Sequence, residues 1–299
     1  MKIKYILYIT LSFYLLVSCS KDRIEPPKNQ YEDIQIYFDT KKQKEQEFVI
    51  TKKGTAPIIG AQGSKIWITK EHLQMPNGAA ILYPYTLKLI ELYSAKDMIY
   101  YQIPSTIEKR PTRTAGKFKI TAVKDGEELS LKTDTFFYLG VVNEAPDNKK
   151  IVYYGTEKST VLYWTSDLTS FGLKKLSNPY FDVVSDGYKG AIGKMGWVAC
   201  DTLYTKPTCT LSFTSETDEL DNVAIFVYAP KENILIKVYQ QQSTIIPANI
   251  NLEIIAMGID DENKLYSQLI KANYQTNATV DISLQEITDV ALTAVLDSL

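Results

Sequence analysis

A single histidine and three cysteines in 299 residues leave this chain poorly supplied for most nucleophilic and metal chemistry. Any Ser–His or Cys–His machinery would have to use His72, and no G-x-S-x-G elbow exists to present a serine. A zinc site needs three or four nitrogen or sulfur ligands in close spacing, which one histidine and distant cysteines do not provide. The 14 glycines form no phosphate-cradling loop, and no cofactor is expected. Basic residues are not in excess: 33 Lys and Arg stand against 35 Asp and Glu, which argues against nucleic acid or an anionic membrane surface as partner. No internal repeat and no low-complexity tract is present.

The one long apolar run is at the start. Lys2 and Lys4 precede the greasy stretch Tyr5 to Leu16, and Leu16-Val17-Ser18-Cys19 closes it. This is the layout of an export signal, and about 12 apolar residues fall short of the roughly 20 that cross a bilayer as a helix. The tetrapeptide resembles the bacterial lipobox, which implies cleavage before Cys19 and acylation of its thiol. Each buried methylene then contributes about 0.8 kcal/mol, so two or three acyl chains hold the protein to the lipid bilayer. Loss of residues 1–18 leaves about 281 residues with a net charge near −4. Ser20 to Gln30 lacks apolar periodicity and contains Pro26-Pro27, so residues 19–32 are expected to be the lipidated cysteine and a tether. Lys21-Asp22 resembles the surface-export signal of Bacteroidetes lipoproteins and Arg23 departs from it. The expected location is the outer membrane, with the periplasmic and surface-exposed faces both open.

Beyond the tether the composition is that of strands. Twenty-one tyrosines accompany Val, Ile, Thr and Phe in short runs bounded by Gly, Pro, Asn and Asp. In Lys117 to Val123, Phe118, Ile120 and Ala122 share one face while Lys117, Lys119 and Thr121 share the other; Asp125-Gly126 supplies a turn to Glu128–Lys132. The spacing predicts a mainly β protein of two β-sandwich-like domains, 33–142 and 143–299, divided at the polar run Asn143 to Lys150. A C-terminal helix from about 284 is expected to pack on the second domain, with Ser283 and Glu286 as a capping box.

Three groups of residues are candidates for chemistry or binding. Cys200 and Cys209 read as flanking the turn of one hairpin, which in an oxidising envelope suits a disulfide, with two buried free thiols as the alternative. Tyr83-Pro84-Tyr85, Tyr100-Tyr101, Tyr153-Tyr154 and Tyr163-Trp164 could be stacking platforms for sugars, although cross-strand pairing is the commoner use. Asp260 to Asn263 and Glu216 to Asp221 hold enough carboxylates for calcium, yet read better as solvated turns.

Gly196-Trp197 with Cys200-Asp201 resembles the G-W-x-x-C-D signature of Bacteroidetes-type surface lipoproteins, and Leu89 to Ile99 is similar to a second stretch of the same proteins. Residues 48–142 resemble the β-sandwich interaction domain of ankyrins and netrin receptors. Neither resemblance implies a reaction. The expectation is a membrane-anchored, non-catalytic binding or assembly module whose partner is an envelope protein or a glycan. The alternative is a carboxylate-dependent glycoside hydrolase, which needs only two suitably spaced acids among 35.

Overall fold

The computed structural model describes residues 27–158, 161–243 and 245–299; the expected signal peptide and Cys19 lie outside them. The protein is mainly β, with large antiparallel sheets and a C-terminal helix.

The larger sheet runs Gln46–Ile50, Tyr85–Leu92, Arg110–Lys124, Gly196–Leu203, Lys150–Lys158, Tyr180–Val184, Gly187–Ile192, Phe137–Val142, Lys65–Trp67, Ile58–Ile59. Its inner face encloses one core, to which Leu87, Phe118, Ile120, Ala122, Leu139 and Tyr154 contribute. The expected hairpin is present: Val123 pairs Glu128 and Lys124 pairs Glu127 around Asp125 and Gly126, both at positive φ. The two ends of the sheet meet at the buried carboxylate of Glu91. One oxygen accepts from Gln46 Nε2 (2.8 Å) and the Gln62 N–H (2.9 Å), the other from the Ser64 N–H (3.0 Å).

The smaller sheet runs Ile234–Lys237, Ala224–Ala229, Asn251–Ile259, Leu265–Asn273, Gln285–Ile287. Alternation along it serves two cores. Ile225, Val227, Ile254 and Ala256 face a second core completed by Leu211, Phe213, Ile246 and Val280. Phe226, Ile255 and Met257 face a third, where they meet Ile90, Leu92, Trp197 and Ala199 from the outer face of the larger sheet. Helices Gln35–Lys41, Ala95–Tyr100 and Asp289–Asp297 fill this middle layer through Phe38, Met98, Ile99, Leu292 and Leu296.

Three expectations are corrected. The division at 142/143 does not separate sheets, because Phe137–Val142 pairs with Gly187–Ile192 and Arg110–Lys124 with Gly196–Leu203; the chain leaves the larger sheet only after Leu203. The polar run is a loop held in place. Asp147 accepts from Tyr188 Oη (2.9 Å) and pairs with Arg113 (2.7 Å) and Lys150 (3.1 Å). Burial opposes ionisation of Asp147, but the Asn148 N–H, Lys150 and Tyr188 outweigh it and hold the carboxyl well below its ordinary range.

The tether, expected to reach residue 32, is docked from Lys28 onward. Lys28 Nζ donates to the Ser215 carbonyl (2.7 Å), Asn29 and Tyr31 donate to buried Asp218 (3.1 and 2.7 Å), and the Glu32 N–H donates to the Ile259 carbonyl (2.7 Å). The final helix starts later than 284, at Asp289, where Thr288 caps it by accepting from the Ala291 N–H at 3.2 Å. Gln285–Ile287 is drawn instead into pairing with Leu265 to Ser267, and the helix packs on both that strand and the Ala95–Tyr100 helix.

Candidate functional site

Three segments at the margin of the larger sheet, 128–136, 172–177 and 193–195, surround a cleft of about 630 Å³. Each is positioned by short-range chemistry. His72 Nδ1 accepts from the Thr69 N–H (3.0 Å) and closes a tight turn, and the His72 carbonyl accepts from the Lys132 N–H (2.8 Å). The sole histidine is thus a support for the first wall. The short helical turn Leu168–Phe171 is capped by Asp167, which accepts from the Thr169 N–H (3.1 Å), and ends at Gly172 in a left-handed conformation, turning the chain into the second wall. In the third, the Gly193 N–H donates to the buried Tyr154 hydroxyl (3.1 Å), and Gly196 at φ +105° returns the chain to its strand.

This last turn carries Lys194. Its ammonium donates to the Met195 carbonyl (3.2 Å) and lies 4.7 Å from the centroid of Phe171. Desolvation lowers its pKa from the ordinary lysine value. Lys132, Lys174 and Lys175 line the same cleft, against Glu128 and Asp134; Lys174 lies 3.7 Å from Asp134. Four ammonium groups facing two carboxylates make this recess electropositive on a protein of net charge −2.

Beside the cleft lies an open aromatic surface. Phe136 (38 % exposed) lines the cleft and makes an edge contact, 5.4 Å between centroids, with Tyr138 (41 % exposed). Tyr138 pairs across the sheet with Trp67, and Lys189 sits over both rings, 4.2 Å from Trp67 and 5.0 Å from Tyr138. Gly140 leaves a hollow of about 220 Å³ here; a Cβ at that position would lie 3.1 Å from the Trp67 ring.

The residues singled out from the sequence are dispersed. Strand alternation sends Trp197 and Asp201 to the outer face and Cys200 to the inner one. Trp197 Nε1 donates to Glu157 (2.7 Å). Asp201 is fully buried, pairs with the equally buried Lys117 at 3.0 Å and accepts from Thr112 Oγ1 at 2.7 Å; its Oδ1 has no hydrogen-bond partner among the described residues. The signature thus joins layers, and none of its residues lines the cleft; Gly196 adjoins it, next in sequence to the lining residue Met195. Leu89 to Ile99 is likewise architectural: Glu91 clasps the sheet, and Ser94 caps the following helix by accepting from the Asp97 N–H (3.1 Å).

The expected disulfide is not formed. Cys200 lies opposite Val152 in the first core, whereas Cys209 pairs with Ile246 beside the second; both are free thiols. The segment between them is not a hairpin turn, because the Tyr204 N–H donates to the Pro111 carbonyl and the chain crosses to the other sheet system. Burial raises both thiol pKa values, keeping them protonated and unreactive. Alkylation of the unreduced, denatured protein, mapped by peptide, is expected to label both positions; labelling only after reduction would contradict the structure.

Tyr85, Tyr100, Tyr153, Tyr154 and Trp164 are core residues rather than platforms. Asp218 is occupied by the docked N-terminal segment, and Asp260 caps its own turn by accepting from the Glu262 and Lys264 N–H groups (3.0 and 2.8 Å). Among the described residues, no group of three or more His, Cys, Asp or Glu side chains is arranged to hold a metal ion, and no helix is long and apolar enough to cross a membrane.

Sequence reasoning missed the cleft lysines, Trp67 and Tyr138. Phe136, Tyr138, Gly140 and Val142 alternate with Phe137, Leu139 and Val141, so both faces of one strand are apolar or small, and this doubled pattern was the available signal. The chain matches no family model, no curated protein and no solved structure.

Proposed function

We propose that the chain is a membrane-anchored envelope lipoprotein, held at the outer membrane through acylated Cys19, that acts as a non-catalytic binding or assembly module. The observation that supports this reading most directly is the electropositive cleft continuous with the exposed Phe136 and Tyr138 surface, formed by loops on a sheet scaffold. The buried carboxylates have structural work: Glu91 joins the sheet ends, Asp201 pairs with Lys117 between layers, and Asp218 fixes the entering chain. The docked segment begins at Lys28, nine residues after Cys19, and a chain of that length reaches at most about 30 Å, so acylation of Cys19 would hold the module close to the bilayer.

The test has two parts. Metabolic labelling with a clickable fatty acid is expected to mark the wild type and not Cys19→Ser; equal labelling of both removes the anchor. The purified mature chain is then offered envelope and dietary polysaccharides. Saturable binding without turnover is expected. Hydrolysis abolished by one Asp or Glu substitution would instead establish a glycoside hydrolase.

A further inference from the structure

Resting on the binding-module reading, we propose that the Lys194 cleft is a subsite for an acidic oligosaccharide, one carrying carboxylate or sulfate groups on a sugar backbone.

Charge is the first ground. Lys132, Lys175 and Lys194 form no ion pair among the described residues, while Lys174 is 77 % exposed and only loosely paired with Asp134. Against the negative net charge of the chain, this local excess draws anions to one place. Lys194 is the sharpest case. It is half-buried beside the Phe171 ring, and its one neutral hydrogen-bond acceptor is the Met195 carbonyl. Glu128 acts on it through space but forms no ion pair with it, and a partly desolvated ammonium so placed gains from an anion arriving in the recess, because opposite charges attract more strongly there than in open water. The turn that carries it is fixed by Tyr154 and by Gly196, so the ammonium is pre-positioned.

Size and surface chemistry identify the rest of the ligand. A cleft of about 630 Å³ is far larger than a lone phosphate or sulfate requires and falls within the range of small-molecule sites. Leu176 and Met195 offer apolar wall, Thr133 and Ser177 offer hydroxyls, and Phe136 offers a partly exposed ring at the mouth. A sugar matches that mixture, with its apolar C–H faces against the ring and its hydroxyls against the polar rim. The cations are all lysines. Ammonium groups act as point charges without the planar fork of arginine, so carboxylate and sulfate are both accommodated.

The test measures binding of the mature chain in detergent to polygalacturonate, chondroitin sulfate and a neutral glucan by isothermal titration at two salt concentrations. The acidic polymers are expected to bind saturably, more weakly at the higher salt, and the neutral glucan at least tenfold less well. Lys194→Met combined with Lys175→Ala is expected to weaken acidic binding at least tenfold with an unchanged melting temperature. Lys52→Ala, which removes one exposed positive charge that does not line the cleft, is expected to change nothing. Equal loss in Lys52→Ala, or no loss in the cleft variant, overturns the site. Equal binding of single-stranded DNA overturns the sugar assignment. Binding of the neutral glucan alone overturns the acidic subsite and leaves the binding-module reading standing, whereas turnover of any of these polymers overturns that reading itself.

Discussion

Replacing Asp201 by alanine is expected to destabilise the protein by about 3–5 kcal/mol, because it strands the Lys117 ammonium in a layer where both partners are fully buried. Among the described residues Lys117 then retains the face of Trp164, 4.8 Å away, which is a weak substitute for a carboxylate. On a chain of this size the loss corresponds to a fall in melting temperature on the order of 10 °C. Breaking the pair and replacing it have different consequences. The double substitution Lys117→Met with Asp201→Leu removes both charges together with their desolvation cost, and it is expected to regain most of the loss or to exceed the wild type. Asp201 carries one oxygen without a hydrogen bond, so the pair is incompletely satisfied and the apolar replacement has a low threshold to match. Urea unfolding of Lys117→Met, Asp201→Leu and the double variant, beside the wild type, closes the cycle. A double variant no more stable than Asp201→Ala would show that the pair contributes net stability.

The same pair marks the limit of local pattern. Period-two alternation placed Phe118, Ile120 and Ala122 on one face, which lies in the first core, and Asp125-Gly126 marked the turn. It grouped Lys117 with Lys119 and Thr121 on the opposite face, but alternation reports only which residues share a face and carries no information about what covers that face. What covers it comes from far along the chain: Trp164 lies over the Lys117 ammonium, and Ile234–Lys237 of the smaller sheet packs against Arg110–Lys124. The 142/143 division failed for a related reason. A polar run containing proline looks alike whether it joins two domains or two strands of one sheet, and only the pairing of Phe137–Val142 with Gly187–Ile192 distinguishes them. Ser283 and Glu286 satisfied the local pattern of a helix start, yet Gln285–Ile287 gains more by completing the edge of a sheet. The cleft lysines come from three loops, so residues 132, 174, 175 and 194 form no run that a linear reading registers.

Glu91→Ala is expected to open the larger sheet at its ends, with a loss of about 2–4 kcal/mol. The carboxylate accepts from two backbone N–H groups on the Gly60 to Ser64 turn and from the side chain of Gln46 on the first strand, so one residue on Tyr85–Leu92 ties together segments that share no ladder. Alanine leaves the Ser64 N–H buried without an acceptor, whereas the Gln62 N–H, on an exposed residue, recovers water; this asymmetry keeps the cost below that of the Asp201 variant. In the wild type Gly60 lies directly against this carboxylate: a Cβ there would come within 2.5 Å of a Glu91 oxygen, so the clasp requires glycine at that position. Glu91→Gln retains one carbonyl acceptor but presents an amide N–H₂ where the other oxygen accepted, so it is expected to lose roughly half as much. Hydrogen exchange provides the specific readout. Amides of Gln46–Ile50 and of the Gly60 to Ser64 turn are expected to lose protection in Glu91→Ala, while those of Asn251–Ile259 in the other sheet keep theirs. Uniform loss of protection across both sheets would mean that Glu91 supports global stability only and does not act as the clasp of the larger sheet.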